Sequence, residues 1–346
     1  MKFAKSAAAL ALGAGAALLL KRSQQNSYNF GGTSVLITGG SRGLGLILAR
    51  QFADEGARLT LVARDEAELG RAADELRQRG TEVLMIVADV RNQEEAQSAV
   101  KAAVTHYGRI DVLVNVAGII SIGPLEHQQI GDFEDSMATH FWGPLYTMFA
   151  AIPFMREQGG GRVVNIASIG GRVAVPHMAP YSSSKFALVG LSDSVRNEVY
   201  KDNIYVTTVC PGIMRTGSHV NAMTKGQHKK EFTWFAMSAS TPGISMDAER
   251  AAHQIVEACR RGAAHLTISL QAQILGGLNG AFPGFMGALL RQSYLVMPAP
   301  TGPQGDRLKK GYESRPEYLP EAATYFGDKA AEKNNEIPPR PVSAEL

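Results

Sequence analysis

Short apolar runs alternate with longer amphipathic stretches from residue 33 onward. The runs are rich in Val, Ile and Leu, which is typical of strands that are buried on both faces. We therefore predict strands at 33–38, 58–63, 82–88, 111–115, 162–167, 204–209 and near 265–270. The amphipathic stretches predict helices at 44–55, 65–79, 93–106, 131–157, 181–201 and 247–261.

The alternation of strands and helices indicates the fold class. Helices that connect successive buried strands produce right-handed βαβ units and a parallel sheet. We predict an α/β domain over residues 31–270, with a doubly wound parallel sheet of about seven strands and helices on both faces.

The first thirty residues differ from this domain. Residues 6–20 form an uncharged run of mostly Ala, Leu and Gly, and charged residues lie on both sides of it. A helix of this length reaches only about 22 Å, but extension back to Phe3 brings it close to the ~30 Å of a hydrocarbon core. We predict an uncleaved single-pass membrane anchor in residues 1–30. A cleaved signal peptide is the alternative, although the run ends in Leu18–Leu20 rather than in small residues.

The C-terminal part also departs from the alternation. Residues 274–290 are nearly uncharged and rich in Gly, and Pro283 interrupts them. We predict that segment 271–300 is a lid or a helical hairpin that dips into a membrane through residues 274–297, with an oligomer interface as the alternative. Residues 301–346 are charged and Pro-rich, which predicts a loosely ordered tail.

Composition does not change this division into an N-terminal segment, an α/β domain and a C-terminal part. The 346 residues are 45% hydrophobic and 19% charged, with a net charge of +3. This charge is small, and no basic stripe with interleaved aromatic residues is present, so we expect no nucleic-acid partner. Cys210 and Cys259 lack neighbours at metal-ligand spacing, and two cysteines make no disulfide framework. We expect both to be buried small side chains and predict no metal.

A glycine-rich turn lies between the first strand and the first helix. It reads Thr38-Gly39-Gly40-Ser41-Arg42-Gly43-Leu44-Gly45. Glycines allow the backbone to approach a pyrophosphate, and the N-terminus of the helix supplies N–H donors and the positive end of its dipole. The position of this turn therefore predicts a dinucleotide site.

A second candidate for chemistry is the pair Tyr181 and Lys185. Residues four apart lie on the same face of a helix. A nearby ammonium group favours the phenolate and lowers the pKa of Tyr181 from its usual value near 10. The pair therefore predicts a general acid or base.

Five motifs in this order resemble the short-chain dehydrogenase/reductase family. They are the glycine-rich turn, Asn115-Val116-Ala117-Gly118, Ser168 thirteen residues before Tyr181, the Tyr181/Lys185 pair, and Pro211-Gly212. The resemblance covers residues 33–265. It implies a Rossmann fold, hydride transfer with a nicotinamide cofactor, and a homodimer or homotetramer.

The resemblance also implies roles for individual residues. Tyr181 exchanges a proton with the substrate oxygen, and Ser168 hydrogen-bonds that oxygen. Lys185 lowers the pKa of Tyr181 and holds the nicotinamide ribose. Asp89 bonds the adenine, residues 115–118 line the adenosine side, and the segment from Pro211 to Thr216 meets the nicotinamide carboxamide.

Two positions depart from the family pattern. Val116 replaces a second Asn, which we expect to be tolerated. His140 replaces the Asn that lies three residues before Gly143 and binds a water linked to Lys185. A neutral imidazole either relays a proton in its place or packs in the kink at Gly143-Pro144. Both alternatives leave His140 among the candidate catalytic residues.

The choice of cofactor follows from charge. An NAD-specific site has a carboxylate at the end of the second strand, where this chain has Ala63 followed by Arg64. Arg42 in the turn supplies a second guanidinium, and two such groups suit a 2′-phosphate. We predict NADP(H). The cofactor-binding residues are predicted to be Gly39, Ser41, Arg42, Gly43, Leu44, Gly45, Arg64, Asp89, Val90, Asn115, Ala117, Gly118, Tyr181, Lys185, Pro211, Gly212, Ile213 and Thr216.

These observations predict a membrane-associated NADP(H)-dependent oxidoreductase whose catalytic domain faces the cytosol. It reduces a carbonyl or oxidises a secondary alcohol on a hydrophobic, lipid-like, steroid-like or retinoid-like substrate, because Met and aromatic residues are scattered through 216–242. The alternative is an NADP(H)-binding regulatory or scaffold protein that has lost turnover through the change at His140.

Overall fold

The computed structural model describes residues 28–337 and contains a parallel sheet of seven strands. The strands are β1 Ser34–Thr38, β2 Arg58–Ala63, β3 Val83–Val87, β4 Val112–Asn115, β5 Gly161–Ile166, β6 Ile204–Pro211 and β7 His265–Ile268. Their order across the sheet is β3-β2-β1-β4-β5-β6-β7, and each neighbouring pair is parallel. The predicted α/β Rossmann-type fold class is confirmed.

Helices cover both faces of this sheet. Along the chain the helices of eight or more residues are α1 Gly43–Asp54, α2 Glu66–Gln78, α3 Gln93–Tyr107, α4 Ile130–Met137, α5 Gly143–Glu157, α6 Ala179–Val199, α7 His228–Ser240, α8 Ala248–Arg260, α9 Leu270–Ala281, α10 Pro283–Tyr294 and α11 Glu321–Lys333. Helices α1, α2 and α8 pack on one face, and α3, α5 and α6 pack on the other.

The central strand β1 shows why its sequence forms a buried strand. Its successive side chains point to opposite faces. Val35 and Ile37 pack into the core beneath α1, whereas Leu36 packs into the core beneath α5, and all three are fully buried. An uninterrupted apolar run is therefore required here. Cys210 and Cys259 are also buried and free, as expected.

The predicted long helix at 131–157 is interrupted. Helix α4 ends at Met137, a π-helical turn follows at Ala138–Trp142, and α5 begins at Gly143. The Gly143 N–H donates to the carbonyl of Ala138, five residues back, and Pro144 has no N–H to continue the ladder. The break places His140 inside the π turn.

The apolar C-terminal segment forms a pair of helices, α9 and α10, separated at Phe282. Several large apolar side chains on this pair are exposed: Leu270, Ile274, Leu275, Phe282, Phe285, Leu289 and Tyr294. Within residues 28–337, no helix is long and apolar enough to span a bilayer. The predicted anchor in residues 1–30 lies almost wholly outside the described part of the chain.

The prediction of a loosely ordered tail after residue 300 is wrong for the part up to 337. Lys309–Lys310 pairs antiparallel with Met223–Thr224, and α11 packs on α7. Asp328 on α11 accepts from Arg315 at 2.9 Å and lies 3.0 Å from Nε2 of His219. The charged composition that suggested disorder supplies these specific pairs instead.

Candidate active site

A cleft of about 930 Å³ opens at the carboxyl ends of the strands, where parallel sheets bind ligands. The glycine-rich turn after β1 forms one end, and the start of α6 forms the other. All the predicted site residues except Asn115 line this cleft. The fold thus brings together side chains from six connections that are distant in the sequence.

The glycine-rich turn is held tightly against its neighbours. Gly39 has a φ of +70° and donates its N–H to the Val62 carbonyl at 2.7 Å. A Cβ at Gly39 would lie 2.8 Å from the Cα of Ala117. The Thr38 hydroxyl accepts from the N–H of Val116 at 3.2 Å, which joins the turn to the segment after β4. The residue that precedes α1, Arg42, makes no side-chain cap, so the N-terminus of α1 faces the cleft with backbone donors.

Asn115 does not line the cleft, contrary to the prediction. Its side chain is buried, donates to Asn165 at 2.9 Å and accepts from the Thr147 hydroxyl at 2.8 Å. The amide points into the layer between the sheet and α5 because both partners lie there. Its role is to join β4 to β5, while Ala117 and Gly118 reach the cleft.

The predicted phosphate-binding arginines already have acidic partners. Arg42 donates to Glu68 at 2.9 Å, and its Nε lies 3.4 Å from Glu336. Arg64 is more than half exposed, and its NH1 lies 3.8 Å from Asp89. Two guanidiniums therefore converge on this end of the cleft, together with the carboxylates of Glu68 and Glu336, which the sequence did not predict there.

Asp89 also has a partner within the chain. Arg91 donates to both of its carboxylate oxygens, with the shortest distance at 2.7 Å. Burial opposes ionisation, but the hydrogen bonds from Arg91 outweigh it and hold the pKa of Asp89 below its usual value. Asp89 is thus an ionised acceptor at the edge of the cleft.

Ser168, Tyr181 and Lys185 meet at the other end of the cleft. Ser168 follows β5 and accepts from the Gly170 N–H at 3.0 Å, which fixes its side chain at the start of a short 3₁₀ turn. Tyr181 and Lys185 lie at the beginning of α6, with Lys185 Nζ 5.7 Å from the ring centre of Tyr181. Nζ donates to the Ile166 carbonyl at 2.8 Å.

Burial dominates the titration of this pair. It raises the pKa of Tyr181, and a hydrogen bond with Ser168 only partly opposes it. Burial also lowers the pKa of Lys185 to about 7. Burial, rather than the charge of Lys185, therefore dominates the pKa of Tyr181, since a buried lysine that is partly neutral at pH 7 exerts little attraction on a phenolate. That Lys185 lowers the pKa of Tyr181 stays a prediction.

His140 is buried, and both of its ring nitrogens are hydrogen-bonded. Nε2 accepts from the N–H of Ile119 at 3.1 Å, so the proton resides on Nδ1, which lies 2.8 Å from the hydroxyl of Ser184. Burial and the nearby Lys185 lower the pKa of His140 well below its usual value. Its ring also makes an edge contact with the ring of Tyr181, with a centre-to-centre distance of 5.4 Å. These contacts favour packing over proton relay, because neither nitrogen is free to hold a water.

Comparison with known proteins agrees with this geometry. The family model described as short chain dehydrogenase matches residues 33–227. The chain belongs to this family. An uncharacterized oxidoreductase of Thermotoga maritima is 37% identical over 184 residues, which cover 53% of this chain and 72% of the relative. The 11-beta-hydroxysteroid dehydrogenase-like 4A protein of Arabidopsis thaliana is 36% identical over 199 residues, 57% of this chain and 66% of the relative.

A solved structure has the same fold. L-Sorbose reductase from Gluconobacter frateurii, complexed with NADPH and L-sorbose, aligns with a TM-score of 0.63 and 27% identity over 70% of this chain and 97% of that one. This short-chain dehydrogenase is therefore an oxidoreductase that uses a nicotinamide cofactor.

A buried polar cluster that the sequence did not predict lies beside the cleft of this dehydrogenase. His177 Nδ1 lies 2.8 Å from Glu231 Oε1, and Trp234 Nε1 donates to Glu231 Oε2 at 2.8 Å. Both His177 and Glu231 are buried, whereas Trp234 lines the cleft. A Glu-x-x-Trp spacing on a helix was the available signal, but the partner His177 is distant in the sequence.

Proposed function

We propose that this dehydrogenase uses NADP(H) to reduce a carbonyl, or to oxidise a secondary alcohol, on a hydrophobic substrate. The observation that carries the proposal is the convergence of Ser168, Tyr181 and Lys185 at one end of a cleft whose other end is the glycine-rich turn. An acid–base group beside a dinucleotide site is the arrangement that hydride transfer to a carbonyl requires.

The cleft fits a dinucleotide. The glycine-rich turn follows β1 and Ser168 follows β5, with β4 between these two strands. The cleft is free of Cβ atoms at Gly39 and Gly45, and α1 presents backbone donors. Arg42 and Arg64 would hold a 2′-phosphate, with no carboxylate at Ala63 to repel it. When bound, the cofactor supplies the hydride, and the chain supplies binding, orientation and the proton.

Four side chains have different roles in the proposed proton transfer. In reduction, the Tyr181 hydroxyl donates a proton to the substrate oxygen while the Ser168 hydroxyl stabilises the charge that develops there. The Tyr181 phenolate that remains then regains a proton from the ammonium form of Lys185, whose pKa of about 7 makes this form available at neutral pH. His140 holds α6 against the segment after β4, through Ser184 and Ile119, and so positions the ring of Tyr181.

The apolar side chains that line the cleft favour a hydrophobic substrate. Beyond Tyr181 the cleft is lined by Val175, Met178, Trp234, Phe235, Ile244 and Leu275. These side chains come from the segment before α6, from α7, from the segment after it and from α9, and they enclose the space next to the proposed proton donor. A large apolar wall with few polar groups suits a lipid-like or steroid-like carbonyl compound.

Turnover with NADPH tests the function, and Arg64→Gln tests the cofactor choice. We expect the full chain in detergent to oxidise NADPH in the presence of hydrophobic ketones or aldehydes. Loss of the Arg64 charge should raise the KM for NADPH about tenfold, because a charge-assisted contact to the 2′-phosphate is removed, and leave the KM for NADH unchanged.

Arg79→Gln is the matched control for this test, since Arg79 is an exposed arginine that does not line the cleft. Binding of NADPH without turnover on any carbonyl compound would support the regulatory alternative. Equal effects of Arg64→Gln on NADPH and NADH would refute the assignment of the 2′-phosphate to Arg64.

We also propose that this dehydrogenase is attached to a membrane through residues 1–27, with the exposed apolar pair α9–α10 as a second contact. After carbonate extraction, the full chain should stay with the membrane fraction, and a chain that starts at Tyr28 should be released. The shorter chain keeps Tyr28 because its ring packs on Phe30 and Arg162. Equal release of both chains would contradict the anchor. Binding of the shorter chain to lipid vesicles, and its loss in Phe285→Ser, would support the second contact.

A further inference from the structure

The C-terminal segment of the chain returns to the glycine-rich turn. The N–H of Gly43 donates to the carbonyl of Asn334 at 2.9 Å. The Asn335 side chain donates to the carbonyl oxygens of Ser41 at 2.8 Å and Glu68 at 3.0 Å. Residues nearly three hundred positions apart are therefore joined at the mouth of the proposed cofactor site.

This segment is docked by specific contacts. The buried guanidinium of Arg50 donates to the Asn334 side chain and to the Lys333 carbonyl, both at 2.8 Å. Asn335 adopts a left-handed conformation with φ of +58°, which asparagine tolerates better than most residues. Arg71 donates to its side chain at 2.8 Å. These contacts place the next residue, Glu336, with little freedom.

Glu336 lies at the N-terminus of α1. It is 5% exposed and lines the cleft. Asn221 donates to one carboxylate oxygen at 2.7 Å, and Nε of Arg42 lies 3.4 Å from the same oxygen. The other oxygen is only 2.5 Å from the position that a Cβ on Gly43 would take. The carboxylate therefore occupies the space directly above the turn.

The Glu336 carboxylate and a phosphate of a dinucleotide would compete for the same groups at the N-terminus of α1. Both are attracted by the free N–H groups and the positive dipole end of α1, and Gly43 cannot donate its N–H to both Asn334 and a phosphate. Burial raises the pKa of Glu336 to about 7, against the opposing effects of Arg42 and Asn221. Burial therefore disfavours the ionised carboxylate in this place. A ligand that displaces the carboxylate into solvent removes that unfavourable free energy.

We propose that Glu336 is a determinant of cofactor affinity and that the segment Asn334–Glu336 must withdraw from the glycine-rich turn before a dinucleotide phosphate can bind. The proposal rests on the proposed use of this turn for NADP(H). Withdrawal also releases Arg42 from Glu336. Because Arg42 is one of the two guanidiniums assigned to the 2′-phosphate, the segment opposes NADPH more strongly than NADH.

The test is a fluorescence titration of the full chain with NADPH and with NADH. Glu336→Gln removes the charge and keeps the shape of the side chain, and Glu336→Ala removes both. We expect each variant to bind NADPH about tenfold more tightly than the unaltered chain, with a smaller gain for NADH. Glu332→Gln is the matched control, because Glu332 is exposed, pairs with Lys329 at 2.9 Å, and lies near the end of α11, four residues before Glu336. It should leave both dissociation constants unchanged.

Hydrogen exchange gives an independent measurement of the segment itself. Amides of residues 330–337 should exchange slowly in the free protein and faster when NADPH is saturating. Unchanged or weaker binding of NADPH by both Glu336 variants overturns the inference while leaving the cofactor assignment intact. So does slow exchange that persists with NADPH bound. If the unaltered chain and both variants bind neither dinucleotide, the cofactor assignment fails and the inference fails with it.

Discussion

Tyr181→Phe should lower the kcat for carbonyl reduction about a thousandfold. The phenol is the only group at the apolar end of the cleft that we assign to proton donation, and phenylalanine has no proton to give. The dissociation constant for NADPH should change little, because the ring keeps its edge contact with His140. Steady-state turnover and a fluorescence titration on the same protein measure the two quantities.

The matched control for Tyr181→Phe is Tyr146→Phe. Tyr146 is another phenol, but it stacks on Trp142 and does not line the cleft. Its loss should leave kcat unchanged. Retention of more than about a tenth of the normal kcat by Tyr181→Phe would show that another group delivers the proton, and the mechanism proposed for Ser168, Tyr181 and Lys185 would be wrong.

Gly45→Ala should destabilise the fold by about 2–4 kcal/mol and weaken NADPH binding more than tenfold. A Cβ at position 45 would overlap the carbonyl oxygen of Gly39, and backbone cannot rotate aside as a side chain can. Gly39 cannot retreat either, because it lies against Ala117 and donates to the Val62 carbonyl. Thermal or urea unfolding and a nucleotide titration are the measurements.

Gly70→Ala provides the comparison for Gly45→Ala. Gly70 lies within α2, and among residues 28–337 no atom outside its chain neighbours and the backbone of its own helix lies within 4 Å of the place that its Cβ would take. This change should stabilise the protein by up to about 1 kcal/mol, because alanine has the higher helix propensity. Similar effects of the two substitutions would contradict the steric argument for the glycine-rich turn.

The regular part of the fold was predictable from local pattern. The first and last residues of the seven strands differ from the predicted ones by no more than two positions. The prediction succeeds because a strand between two helical layers needs apolar side chains on both faces. The turn after β1 was predictable for a related reason. Close backbone contacts leave no room for a side chain at Gly39 or Gly45 in this short connection.

Longer-range polar contacts decided the points on which the predictions failed or stayed open. Asn115 lies in the expected motif, but its partners Asn165 and Thr147 turn its amide away from the cleft. Two alternatives were left for His140, and the N–H of Ile119 and the hydroxyl of Ser184 favour packing. The partners of Asn115 and of His140 lie far from them in the sequence, at no regular spacing, so a sequence pattern cannot reveal these contacts.

By itself, the sequence determined the α/β sheet, the glycine-rich turn and the three side chains of the proposed proton chemistry. The signals of the sheet and of the turn are local, since burial and backbone conformation limit the residue types there, whereas Ser168, Tyr181 and Lys185 were indicated by the resemblance to the family. Only the tertiary structure decided that burial controls the pKa of Lys185 and of Tyr181. It alone also revealed that Glu336 lies over the turn. Charged residues at the end of a chain are compatible with disorder until partners such as Arg50 and Asn221 are brought to them by folding.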